Sequence, residues 1–339
     1  MTTAVSVTLL TGFLGAGKTT LLNHYLHHHA DSSVVIVENE FGAVGIDGQL
    51  LARGDNIRVV EVSNGCVCCS VRGEFTEAMV DLLDRRASGE MPFETLIVEA
   101  TGLADPGPII QTFFTEERLR ESLRLDAVIT LVDCQHIGQQ LDEHPVAAAQ
   151  IAFADRLLLT KTDLCDEAHK EAMLARIHRI NNKAPLLAIH HGACPPGEWL
   201  NIAAFEMDDR NALTEGYHII SARADAPGRF RPFATTRAEP TPDVIQAHVF
   251  DAGTLDLKKI GAFMERCIAD HGNDMLRYKG VLAIDGQPQR LVVQGVYKVV
   301  GFDYGSAWQE SETPHSRLVI IGRYLPVEQL GRAFAETAS

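Results

Sequence analysis

Two groups of residues in this chain have the types and spacing for chemistry. Gly12-Phe13-Leu14-Gly15-Ala16-Gly17-Lys18-Thr19 fits G-x-x-x-x-G-K-Ser/Thr at each fixed position. Its glycines let successive backbone N–H groups converge on phosphate oxygens, and the helix start that follows adds partial positive charge. Lys18 is then placed to reach the β- and γ-phosphates of a nucleoside triphosphate, and the Thr19 hydroxyl faces Mg2+. Gly12, Gly15, Ala16, Gly17 and Thr20 complete the cradle. The second group is Asn64-Gly65-Cys66-Val67-Cys68-Cys69. Thiolates are soft donors suited to Zn2+ and Cu+. Three of them crowded together do not easily close a tetrahedron. Cys66 and Cys68 can converge on one ion across a turn, Cys69 can join them, and the remaining donor must come from elsewhere; Glu38, at the end of a neighbouring strand-like run, is the favoured source. Redox-active vicinal thiols, or cysteines packed as small apolar residues, are the competing readings.

Further polar residues fall at the ends of apolar runs. Glu99, in Glu99-Ala100-Thr101-Gly102-Leu103-Ala104-Asp105-Pro106, is an acid able to hold Mg2+ or its water, and Gly102 lets the backbone sense a γ-phosphate. Asp133 is the rival acid. In Thr160-Lys161-Thr162-Asp163, the Asp163 carboxylate can accept from the guanine N1–H and exocyclic amine, two donors that adenine does not present together. This makes Asp163 the expected base selector, supported by Lys161. His191-Gly192-Ala193 is expected to close over the base through its backbone. His24, His27, His28 and His29 crowd one helix end, where a solvated terminus competes with metal binding at the His24/His28 i,i+4 spacing. Cys134, Cys165, Cys194 and Cys267 stand apart and read as packing residues.

Elements must position these groups. Apolar, β-branched runs occur at 34–37, 57–62, 96–98, 127–132, 157–159 and 186–189, separated by helix-length segments. Continuous runs suit a parallel sheet covered on both faces. Ligands in such sheets bind beyond the carboxyl ends of the strands, where these residues fall. An α/β P-loop NTPase domain over residues 1–221 is expected. Residues 222–242, rich in Ala, Arg and Pro, read as a linker. A small α+β domain is expected over 243–339, with strand-like runs at 246–250, 281–284, 291–296 and 317–321 and a helix near 257–268. There Arg277 and Lys279 of Leu276-Arg277-Tyr278-Lys279-Gly280 read as partner or interdomain contacts or as a solvated strand edge. The 339 residues and 46% hydrophobic content suffice for two cores. A net charge of −15 repels nucleic acid unless a basic patch intervenes, and none is evident. Without a long apolar run or a basic-then-apolar start, no membrane partner is expected and a cytoplasmic location is. Seven cysteines, three of them crowded into four positions, do not form a secreted disulfide pattern.

With the stretches Leu10 through Thr20, Glu38-Asn39-Glu40-Phe41-Gly42, Asn64 through Cys69, Glu99 through Pro106 and Thr160 through Asp163, the sequence resembles the CobW family of metal-associated GTPases, relatives of the urease and hydrogenase nickel-insertion GTPases. The resemblance implies GTP hydrolysis coupled to metal handling, with Cys66, Cys68 and Cys69 as metal ligands and Glu99 in place of the usual Asp on the Mg2+ side. It also implies a compact C-terminal domain. Family members often carry a further Glu after Phe-Gly, where this chain has Ala43, so that auxiliary carboxylate is absent. The expected ligands are GTP and GDP, Mg2+ and Zn2+, with Co2+ and Ni2+ as alternatives, and the expected partner is a client metalloprotein; an oligomer is compatible with the sequence. No arginine finger or catalytic glutamine is identifiable, so slow intrinsic hydrolysis is expected. The competing classes are a metal-buffering or redox-sensing protein with a fold-stabilising nucleotide, and an ATP-dependent kinase.

Overall fold

The computed structural model describes residues 4–29, 33–40, 57–63, 71–204, 218–221, 244–309 and 311–339. The chain divides into two compact units, Met1–His178 with Asn182–Phe205, and Arg179–Asn181 with Glu206–Ser339.

In the first unit, strands β1 (Val5–Gly12), β2 (Val34–Glu40), β3 (Ile57–Ser63), β4 (Thr95–Ala100), β5 (Leu123–Asp133), β6 (Arg156–Thr160) and β7 (Leu186–Ala188) form one sheet. Their order is β3-β2-β4-β1-β5-β6-β7, and every neighbouring pair is parallel. Parallel pairing needs crossovers. Helices α1 (Lys18–His28), α2 (Val71–Ala87), α3 (Gly107–Thr115), α4 (Glu117–Ser122), α5 (Ile137–Glu143), α6 (Pro145–Phe153) and α7 (Glu167–Ile180) lie between the strands in the chain. Each apolar run read from the sequence is a strand. Leu10, Ile36, Ile97, Ile129 and Leu158 share one core with Leu21, Leu22, Tyr25 and Leu26 of α1, which puts α1 over one face of the sheet. The order places β1 between β4 and β5, so the loop leaving β1 emerges between the ends of both.

In the second unit, β8 (His218–Ser221), β9 (Ile245–Ala252), β11 (Met275–Ile284), β12 (Gln289–Val296), β13 (Val299–Ala307) and β14 (Ser316–Arg323) form a sheet in the order β8-β13-β12-β11-β14-β9, with the short β10 (Thr254–Leu255) on β11. All pairs on this path are antiparallel. Helices α8 (Leu257–His271) and α9 (Val327–Ala335) contribute Phe263, Met264, Ile268, Leu330 and Phe334 to its core. Asp256 caps α8, accepting from the backbone N–H groups of Lys258 and Lys259 at 2.9 Å each.

Two expectations change. The boundary at residue 221 falls too late, because His218–Ser221 pairs with β13 in the second sheet; the 222–242 segment lies outside the described residues. The Arg277–Lys279 stretch is no strand edge, since β11 is flanked by β12 and β14 and Arg277 is buried. Among the described residues no helix is long and apolar enough to cross a membrane.

Candidate functional site

The phosphate loop is built by backbone conformations that side chains resist. Gly12, Gly15 and Gly17 have φ of 139°, 74° and 101°, and a β-carbon on Gly12 would lie 2.4 Å from the Leu131 carbonyl oxygen. Glycine is required there for both space and conformation. Gly17 is the N-cap of α1, with no side-chain cap and no acid in the first turn. The first turn of α1 thus brings no acid or side-chain cap of its own to these N–H groups, which fits a phosphate. Lys18 is buried, and its ammonium donates to the Gly12 carbonyl at 2.9 Å, folding back across the loop. The Thr160 hydroxyl donates to Ala16 O at 2.9 Å, with Val132 O 3.3 Å away. This ties the loop to the end of β6.

Glu99 is buried near the end of β4. Its register partner on β2 is Glu38, whose own partner on β3 is Glu61. Because side chains alternate along a strand, Glu38 and Glu99 stand on the same face as Ile36 and Ile97, the face beneath α1. Glu38 is buried too. Two carboxylates are thus held side by side at the carboxyl edge, next to the strand that launches the phosphate loop. Cys66, Cys68 and Cys69, and Phe41-Gly42, lie outside the described residues.

The turn after β4 is held from two sides. A β-carbon on Gly102 would meet Leu14 N and Cδ2 at 2.6 Å each, so the turn rests directly on the phosphate loop. Gln150 of α6, buried, donates its side-chain amide to Gly102 O and Ala104 O at 3.1 Å each. Thr101 Oγ1, between Glu99 and Gly102, is buried with no hydrogen-bond partner among the described residues, which suits a hydroxyl that bonds a ligand. Sequence reading did not single out Gln150 or Thr101. Gln150 belongs to no motif and its role appears only once α6 is packed against the turn, while Thr101 sits inside the Glu99–Pro106 motif but is marked out only by the burial of its hydroxyl.

Asp133, the rival acid for the metal-side role, is already paired. It sits across β1, on β5, where its carboxylate accepts from Lys161 Nζ at 2.6 Å and His136 Nδ1 at 2.8 Å, and from the N–H groups of Gln135 and His136 at 3.0 and 3.3 Å. Burial alone would raise its pKa, but the hydrogen bonds from Lys161 and His136 outweigh this and hold it below the ordinary value. Lys161, at φ 56°, turns the chain into the short helical turn Thr162–Leu164. Asp163 projects from that turn with a 54% exposed side chain, 3.8 Å from His190 Nδ1, available to a ligand. A β-carbon on Gly192 would lie 2.5 Å from Thr20 O, so the loop after β7 lies against the first turn of α1. The phosphate loop, the Lys161–Asp163 turn and the 190–193 loop therefore line one stretch of the sheet edge. His24 to His29 end α1 away from the phosphate loop; burial, then His28, His29 and His27, hold His24 below its ordinary pKa.

Cys134, Cys194 and Cys267 are buried and Cys165 partly so. Burial pushes the Cys134 thiol up to about 12, with Cys165 adding to the rise, and Cys194 and Cys267 up to about 11 and 12. Such thiols pack rather than react.

Residues 6–188 match the family described as CobW/HypB/UreG, nucleotide-binding domain, and residues 245–338 match the cobalamin synthesis protein cobW C-terminal domain. The chain is 40% identical over 332 residues to the zinc chaperone YjiA of Escherichia coli K12, covering 98% of each. It is 32% identical to a zinc chaperone CobW of Pseudomonas aeruginosa, covering 94% of this chain and 88% of that one. The crystal structure of Zn(II)-bound YjiA GTPase from E. coli matches over the full length of both chains, with a TM-score of 0.76 and 34% identity.

Proposed function

This chain belongs to the CobW family, and from that premise we propose that it is a metal-binding GTPase. It hydrolyses GTP to GDP and phosphate and uses the nucleotide state to set its hold on a transition metal, zinc first, for transfer to a client metalloprotein. The carrying observation is the register of β2 on β4, which sets Glu38 beside Glu99 at the roughly 4.8 Å spacing of adjacent strands. One carboxylate belongs to the nucleotide side and the other to the metal side, so a shift in either strand end is felt by both.

In this reading Gly12, Gly15, Ala16, Gly17 and Thr20 cradle the phosphates, and Lys18 leaves the Gly12 carbonyl for the β- and γ-phosphates. Thr19 and the buried carboxylate of Glu99 would hold Mg2+, which would supply charge neutralisation at the phosphates. Gly102 and Thr101 sense the γ-phosphate, while Lys161 and Asp163 select guanine. Glu38 with Cys66, Cys68 and Cys69 forms the mixed oxygen and sulfur site for the cargo ion, a donor set that suits Zn2+ and also accepts Co2+ or Ni2+. Relatives named zinc chaperones support zinc as the cargo. Competition of GTP against ATP tests the base assignment: the wild-type chain prefers GTP, and Asp163→Ala loses the preference. An unchanged preference in that variant overturns it. Metal transfer by Lys18→Ala separates this device from a simple buffer, since a buffer transfers zinc equally well without triphosphate binding.

A further inference from the structure

The histidines ending α1 have no part in the nucleotide and metal sites proposed above. His24 and His28 stand one turn apart, and their rings stack with centroids 4.3 Å apart and planes 24° from parallel. His28 Nδ1 lies 2.7 Å from the His24 carbonyl oxygen. A carbonyl can only accept, so Nδ1 carries the proton, and in the neutral imidazole this leaves the lone pair on Nε2. This is the arrangement by which a backbone acceptor fixes the tautomer of a metal-binding imidazole. His29 makes the same bond to Tyr25 O at 3.1 Å, but its ring stacks on Tyr25 at 4.8 Å, so no second imidazole shares its position. His27 has Asn23, not histidine, one turn before it. Among these residues the His24/His28 pair alone combines i,i+4 spacing, ring proximity and a fixed tautomer.

We propose that His24 and His28 form a second metal site, a solvent-facing pair of imidazoles that takes a borderline divalent ion such as Ni2+, Zn2+ or Cu2+ with water completing its coordination. An ion shared by the pair would sit about 2.0–2.1 Å from each Nε2, and the 4.3 Å ring separation keeps both imidazoles in one place to meet it. Two protein ligands and open positions make the site weaker and faster-exchanging than a thiolate site, the behaviour of a place where an ion is first picked up. It lies on the helix whose N-terminus bears Lys18 and Thr19, and its two ligands are other residues than Glu38 and the cysteines.

The test is Ni2+ titration of the full chain already loaded with one equivalent of Zn2+, followed by calorimetry and by absorption spectra. Wild type is expected to take up a further Ni2+ with no sulfur-to-metal charge-transfer band. His24→Ala/His28→Ala weakens that uptake by at least about tenfold, and His28→Ala alone does the same. His27→Ala/His29→Ala, with the pair intact, retains it. Equal uptake by wild type and His24→Ala/His28→Ala overturns the proposal. So does equal loss in His27→Ala/His29→Ala, which would mean a diffuse histidine tail, and so does a thiolate band on the second ion. Matching thermal unfolding of the variants shows that any loss is not misfolding.

Discussion

Replacing Gln150 by Leu removes the two bonds that hold the turn after β4, to Gly102 O and Ala104 O at 3.1 Å each. Gly102 and Ala104 are both buried, so each carbonyl loses a partner that water does not readily replace, a cost of about 1–3 kcal/mol apiece. The substitution also relieves something. Gln150 Oε1 is buried with no hydrogen-bond partner among the described residues, and an apolar side chain of similar size removes that penalty, of the same order. Two losses against one relief leave a net cost of about 1–3 kcal/mol. If this energy is what fixes Gly102 against the phosphate loop, it appears in catalysis: kcat/KM for GTP falls about five- to 150-fold, since about 1.4 kcal/mol is a factor of ten. Global stability by urea falls by less, because the turn loosens locally before the core does. Steady-state hydrolysis and urea unfolding on the same preparations measure both. A variant that loses the full stability with kcat/KM unchanged within about twofold would refute the positioning argument, leaving Gln150 a packing residue.

Gly102→Ala drives a β-carbon to 2.6 Å from Leu14 N, a backbone atom that no rotamer change can move, so GTP turnover falls by about a hundredfold, as displacements near 1 Å do; fluorescent GTP-analogue binding and hydrolysis check it. Asp133→Asn loses the Lys161 and His136 bonds and about 1.5–3 kcal/mol at neutral pH. The folded value of Asp133 is depressed, so its contribution is complete above the ordinary carboxylate value of about 3.9 and is lost as pH falls through the folded value. Urea midpoints should show a gap between wild type and variant that does not shrink from about pH 8 to 5 and closes below about pH 4. Iodoacetamide near pH 8 should leave Cys134, Cys194 and Cys267 unlabelled in the folded chain, their thiols being raised to about 12, 11 and 12, and label all three after unfolding, as mass spectrometry of the peptides would record.

The parallel sheet was legible because its strands are buried on both sides and read as unbroken apolar runs. Where a run was broken the reading fell short. β5 begins at Leu123, ahead of the apolar run at 127, because Arg124 and Asp126 interrupt the pattern; Asp126 is nevertheless buried, accepting from Ile202 N and Ala203 N at 3.2 and 2.7 Å. β13 escaped notice since Gly301 and Gly305 dilute its alternation, and α9 since Gly331 sits inside a short amphipathic segment. The placement of Glu99, Lys161 and Asp163 at strand ends was legible because strand-end motifs are local. The pairing of Glu38 with Glu99, the diversion of Asp133 to Lys161 and the clamp from Gln150 depend on strand order and helix packing, which no local spacing encodes.

In the proposed device the nucleotide at Lys18 and the metal near Glu38 share one free energy, and linkage makes that reciprocal. Zn2+ affinity measured by competition with a chromophoric chelator, on the full chain saturated with GDP and with a non-hydrolysable GTP analogue, tests it most directly. The two affinities should differ by about five- to 150-fold, with the difference collapsing in Glu38→Ala. Equal affinities in the two nucleotide states would contradict it.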